Sequence, residues 1–95
     1  MVDWKQIELI TGHEAEIHIK RHSVGISEVF NVLNGQTYSR KIKVGGETRY
    51  AVLGESHGRI LMIILVQRAN QSFYLLTAYE PSDGYKKLYR DRCKK

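Results

Sequence analysis

Apolar and polar residues change rhythm once along this chain, from helical spacing to alternation. Gln6–Ile10 reads as a short strand. Thr11, with Glu14 three positions on, has the capping-box pattern, which predicts a helix running to about His22. Ser23–Gly25 breaks it. Ser27 then caps a short helix over Glu28–Asn34, with Val29, Val32 and Leu33 on one face and Gly35 suited to a left-handed end. Beyond that point the spacing becomes strand-like. Tyr38, Ile42 and Val44 alternate with Lys41 and Lys43, the pattern of an edge strand with charge turned outward. Gly45-Gly46 predicts a hairpin turn, Thr48–Leu53 the returning strand, and His57-Gly58 the next turn. Ile60–Val66 is apolar throughout, as a central strand would be. Ala69–Gln71 turns again, and Phe73–Glu80 is the fourth strand of the meander, stopped by Pro81. Ser82 or Asp83 caps a last helix, with Tyr85, Leu88 and Tyr89 on one face. The expected fold is α+β: a short N-terminal strand, two helices, a four-stranded antiparallel sheet and a C-terminal helix, with the helices on one face of the sheet.

At 95 residues and 42% apolar content the chain supports one domain, spanning residues 1–95, and one modest core. A domain this short is only marginally stable alone, so a bound partner would also matter thermodynamically. Charge is uneven. Fifteen Lys and Arg face ten Asp and Glu, a net charge of +5. From Pro81 onward Lys86, Lys87, Arg90, Arg92, Lys94 and Lys95 outweigh Asp83 and Asp91, so most of the excess lies in the tail. That favours a polyanion or an acidic partner over a solvated end without a role. The single cysteine, Cys93, excludes an internal disulfide and fits a reducing compartment. Met1–Ile10 does not read as a secretion signal, and Ile60–Val66 is too short to span a bilayer. The expectation is a cytoplasmic protein with no membrane partner.

Two stretches carry a likeness. One is Lys20-Arg21-His22-Ser23-Val24-Gly25-Ile26-Ser27-Glu28-Val29-Phe30. The other begins at Glu47-Thr48-Arg49-Tyr50, passes through Leu53-Gly54, Gly58-Arg59 and Leu61, and ends at Leu76-Thr77-Ala78-Tyr79-Glu80-Pro81. In order and spacing they resemble the BrnT-like toxins of bacterial toxin–antitoxin systems, within the RelE-like class, and a related uncharacterised domain family. The resemblance covers most of residues 6–90. It implies a RelE-like fold, cleavage of RNA without metal or cofactor, and a DNA-binding antitoxin that neutralises the toxin; the expected assembly is a homodimer or a toxin–antitoxin hetero-oligomer. Two positions depart from the pattern. Tyr79 stands where BrnT-like toxins carry Arg, and Ser23 stands where Gly is usual.

Metal-free RNA cleavage needs a base for the 2′-hydroxyl proton, a cation for the phosphorane and an acid for the leaving oxygen. His22, at a helix end behind Lys20 and Arg21, suits the base, or else only the last helical carbonyls. Arg49 suits a phosphate clamp, or an ion pair with Glu47 or Glu80. Lys20, Glu28 and Tyr79 complete the catalytic candidates. Alternation puts Tyr79 on the face of Phe73 and Leu75, and Glu80 on the other. Arg21, Arg59, Lys86, Lys87 and Arg90 are the candidate RNA contacts. Glu14, His18 and His22 share a helical stripe, but two surface histidines explain it better than a metal site. Tyrosines interleaved with bases suit stacking of single-stranded RNA, although Tyr85 and Tyr89 also suit a helix docking on the sheet. The leading expectation is a toxin-like endoribonuclease. The alternative is a non-catalytic RNA- or protein-binding module of the same fold.

Overall fold

The alternating half of the chain folds into the sheet that positions everything else. The computed structural model describes residues 2–93; Lys94 and Lys95 of the basic tail lie outside them. After a single 3-10 turn at Trp4–Gln6 come β1 (Glu8–Ile10), α1 (His13–Lys20), α2 (Ile26–Asn34), β2 (Tyr38–Val44), β3 (Glu47–Ser56), β4 (Arg59–Ala69), β5 (Ser72–Tyr79) and α3 (Asp83–Cys93). Two-residue turns join β2 to β3 and β3 to β4. Gly45-Gly46 has φ of 54° and 83°, and His57-Gly58 has 50° and 81°. Positive φ at both central residues matches the right-handed strand twist, and only glycine adopts it without strain. At the first turn both residues are glycine; at the second His57 carries the strain.

The architecture is α+β, but the sheet is five-stranded and mixed rather than four-stranded and antiparallel. Its order is β1-β5-β4-β3-β2. β1 adds to the edge of β5 in parallel, pairing Glu8 with Ser72 and Ile10 with Tyr74. A three-residue strand says nothing about its neighbour; α1 and α2 separate β1 from the meander and leave it free to return to the far edge. β4 takes the central place and β2 an edge, as their patterns predict.

The helices divide between the two faces, which corrects the one-face arrangement. Alternate positions of the strands supply both cores. Val52, Leu61, Ile63, Leu65, Phe73, Leu75 and Ala78 pack under α1 and α2 with Trp4, Ile19, Val24, Val29, Val32 and Leu33. Leu53, Ile60 and Met62 turn the other way and pack with Tyr89 of α3. α3 covers only one end of that second face, because it is the only element left to cover it.

A bulge corrects a second expectation. Leu65 pairs with Leu75 but Ile64 pairs with Thr77, so Leu76 is an extra residue. An inserted residue shifts the alternation by one. Tyr79 therefore lies with Met62 on the α3 face, opposite Phe73 and Leu75.

Helix starts also differ from the motif reading. α1 is capped at Gly12 with no side-chain cap, not at Thr11. α2 begins at Ile26 behind Gly25, and the Gly25 N–H donates to Glu28 Oε1 at 3.2 Å. Glu28 thus serves the third-position half of a capping box. Gly35 has φ −99°, so it ends α2 in extended and not left-handed backbone.

Candidate functional site

One end of the sheet collects groups that are far apart in sequence. The α1–α2 connection, the start of β4, the end of β5 and the start of α3 all meet there. Ser23 ends the turn after α1 with φ 61°, outside the comfortable range of a residue with a Cβ. It is held there in part because its carbonyl accepts from Arg59 Nη2 at 2.8 Å. The same nitrogen donates to both carboxylate oxygens of Glu28 at 3.0 Å. Arg59 therefore ties the start of β4 to the helix connection, while Glu28 caps α2. Both side chains are about one third to one quarter exposed. Glu80 sits nearby. Its carboxyl lies below its ordinary range, chiefly through the hydrogen bond from Lys86, then the Lys86 charge, with a smaller contribution from Arg59.

His22 is exposed on this rim, with Lys20 and Arg21 beside it. Its ring centroid lies 6.0 Å from that of Tyr79 and 5.2 Å from that of His18. The structure thus brings His22 to Tyr79, and the ends of α1 and β5 place both beside the Glu28–Arg59 and Glu80–Lys86 pairs. Lys87 and Arg90 lie exposed on α3.

Arg49 does not join them. It sits opposite Val66 in β3, whereas Tyr79 sits opposite Met62. Strand rise and spacing put those backbone positions about 16 Å apart. Arg49 Nε donates instead to Glu47 Oε1 at 2.7 Å. Among the described residues no three His, Cys, Asp or Glu side chains converge on a point that could hold a metal. Glu14 and His18 line an open cleft between α1 and the free edge of β5.

One feature of the half-covered face belongs to none of the sequence motifs. On the half-covered face, Tyr38, Leu53, Met62 and Tyr79 form one row across the sheet, and Arg40, Ala51, Ile64 and Thr77 form the next. All of these but Thr77, together with Ile42 of β2 and Tyr85 and Leu88 of α3, line a hollow of about 180 Å³. Strand alternation alone places Arg40 on the face of Tyr38 and Ile42, so that signal was present. The bulge that adds Tyr79 was not. Arg92 stacks 5.6 Å from the Tyr38 ring centroid at the edge of this face, and Arg68 stacks 4.5 Å from that of Tyr74 further along it.

The chain matches no protein-family model, no curated protein and no solved structure. No helix among the described residues is long and apolar enough to cross a membrane.

Proposed function

We propose that this protein is an RNA-cleaving enzyme of the toxin type, acting at the His22–Tyr79 end of its sheet. The observation that carries the reading is the meeting of His22 with Tyr79, 6.0 Å between centroids, on a rim that also bears Lys20 and Arg21. An imidazole can accept the 2′-hydroxyl proton, after which the 2′-oxygen attacks the phosphorus. The neighbouring cations balance the charge that develops on the phosphoryl oxygens. The 5′-oxygen leaves with a proton from the Tyr79 phenol, which recovers one from the imidazolium beside it. The products are a 2′,3′-cyclic phosphate and a free 5′-hydroxyl. Glu28 and Arg59 act as braces in this reading, since each is engaged by the other. Arg49 is too far away to act on the same phosphate, and its place is along the bound strand.

A neutralising antitoxin, as the resemblance to BrnT-like toxins implies, belongs to the same proposal. The second reading is a module of the same fold that binds RNA or a protein without turning it over. The ion pairing of Glu28, Arg59, Glu80, Lys86, Arg49 and Glu47 favours it, because these charges are spent on the fold. A single-stranded RNA labelled at one end separates the two. In the first reading His22→Ala keeps RNA binding and loses turnover by roughly 10²–10⁴. The wild-type pH–rate profile also carries a limb that the variant lacks. Binding without cleavage by the wild type leaves the second reading.

A further inference from the structure

The hollow on the half-covered face lies directly behind the proposed site, and Tyr79 belongs to both: its ring meets His22 and lines the hollow. We propose that this hollow holds one unstacked nucleobase of a single-stranded RNA, next to the phosphate that is cut. The inference rests on the RNA reading above.

Size selects the occupant. About 180 Å³ is below the roughly 300–1,000 Å³ of a drug-sized ligand site. An α-helix, about 10–12 Å across with its side chains, does not enter it. One planar ring system does. The chemistry of the walls agrees. Ala51 and Ile64 line it with apolar carbon, and the side chains of Tyr38, Tyr79 and Tyr85 stand around it. A base leaving its stack recovers stacking on such rings. Arg40 is the cation of the hollow, and among the described residues it has no carboxylate at ion-pair distance. Its planar fork can donate to the oxygen and nitrogen acceptors of a base edge. Arg92, over Tyr38 at the rim, is placed for an adjacent phosphate. A base inside a duplex is not available to the hollow, so the arrangement selects single strands.

The experiment uses the whole chain and octamers of A, C, G or U carrying 2′-O-methyl groups, which bind but cannot be cut. One octamer should bind about ten-fold or more tighter than the weakest. A single abasic position in it should cost about ten-fold, within the range for one stacked base. Ala51→Leu, which fills the hollow, should weaken binding about ten- to a hundred-fold and make the four octamers alike. The dependence on salt should stay unchanged, because phosphate contacts are untouched. Tyr85→Ala and Arg40→Gln, at exposed positions, should lower affinity and base preference to lesser degrees and guard against misfolding of Ala51→Leu. Full affinity and unaltered base preference in these folded variants would overturn the pocket while leaving the RNA reading standing. If no octamer binds the wild type, the RNA reading itself fails and the pocket falls with it.

Discussion

The two faces of the sheet solve different problems. Under α1 and α2 the strands present Leu61, Ile63, Leu65 and Phe73, each essentially inaccessible. Trp4, Tyr50 and Phe73 meet edge-to-face or tilted, with centroids 5.1–5.7 Å apart. On the other face α3 buries Tyr89 and one end of the sheet, but Ile42 stays 40% exposed, Tyr74 37% and Tyr85 47%. Apolar burial contributes about 25 cal/mol per Å², so the first face carries the stability. The second exposes rings and guanidinium groups at a cost in burial. A domain with one well-filled core can leave its other face to a ligand.

Truncating one aromatic on each face should separate their contributions most. Phe73→Ala should cost about 3–5 kcal/mol, near the whole stability of a domain this small. Tyr85→Ala should fall within about 0.5 kcal/mol of wild type. Chemical denaturation reads both, and similar losses would mean that the faces share the load.

Closeness of packing gives the next largest effect. Gly54 of β3 lies beneath α2, and a Cβ there would stand 2.6 Å from Val32 Cγ1 and 3.3 Å from the Val32 carbonyl oxygen. Gly54→Ala should therefore lift α2 and cost about 1–3 kcal/mol. A neutral outcome by thermal melting would show that α2 is seated less tightly than the geometry indicates.

Backbone strain on the helix side predicts a gain. Ser23 holds φ 61°, in the left-handed region that favours glycine. Ser23→Gly should stabilise by about 1 kcal/mol, because the left-handed conformation costs a residue with a Cβ about that much. An unchanged or lower melting temperature would mean that the serine repays the strain elsewhere.

The smallest expected effects are titrations, and they belong to the α3 side. Burial pushes the Tyr89 hydroxyl above its ordinary 10.0 and the Cys93 thiol above its ordinary 9.0. In the unfolded chain these groups lose protons first, so their contribution is full below pH 9 and declines as pH rises through 9–10 and beyond. Glu80 has the opposite sign. Its lowered value means that its contribution is present above about pH 4.5 and is lost on further acidification. Tyr89→Phe should lose about 1 kcal/mol at neutral pH, with its hydrogen bond to the Gln36 carbonyl, and should flatten the alkaline decline. Amide exchange in α3 that shows no extra loosening at alkaline pH would contradict this.

Much of the candidate site was legible in pieces. His22 with its two bases stands out as a cluster, and Tyr79 stands out as a departure from the toxin pattern. Their meeting was not legible, because the alternation of β5 puts Tyr79 among core residues until the extra Leu76 turns it over. Arg49 and His22 looked like partners by residue type alone. The register of β3 against β4 separates them. Glu28 and Arg59 looked free, and the helix connection that joins them comes from neither residue's local sequence.

The α+β class, the order of the helices and strands, the turns at Gly45-Gly46 and His57-Gly58, the edge place of β2 and the central place of β4 are all written in local residue patterns. These follow from backbone sterics and from burial patterns that repeat within a few residues. The parallel return of β1, the bulge in β5, the passage of α3 to the second face and the hollow it leaves open arise from packing in three dimensions. Each depends on which surfaces remain uncovered once the meander has formed, and no local pattern contains that information.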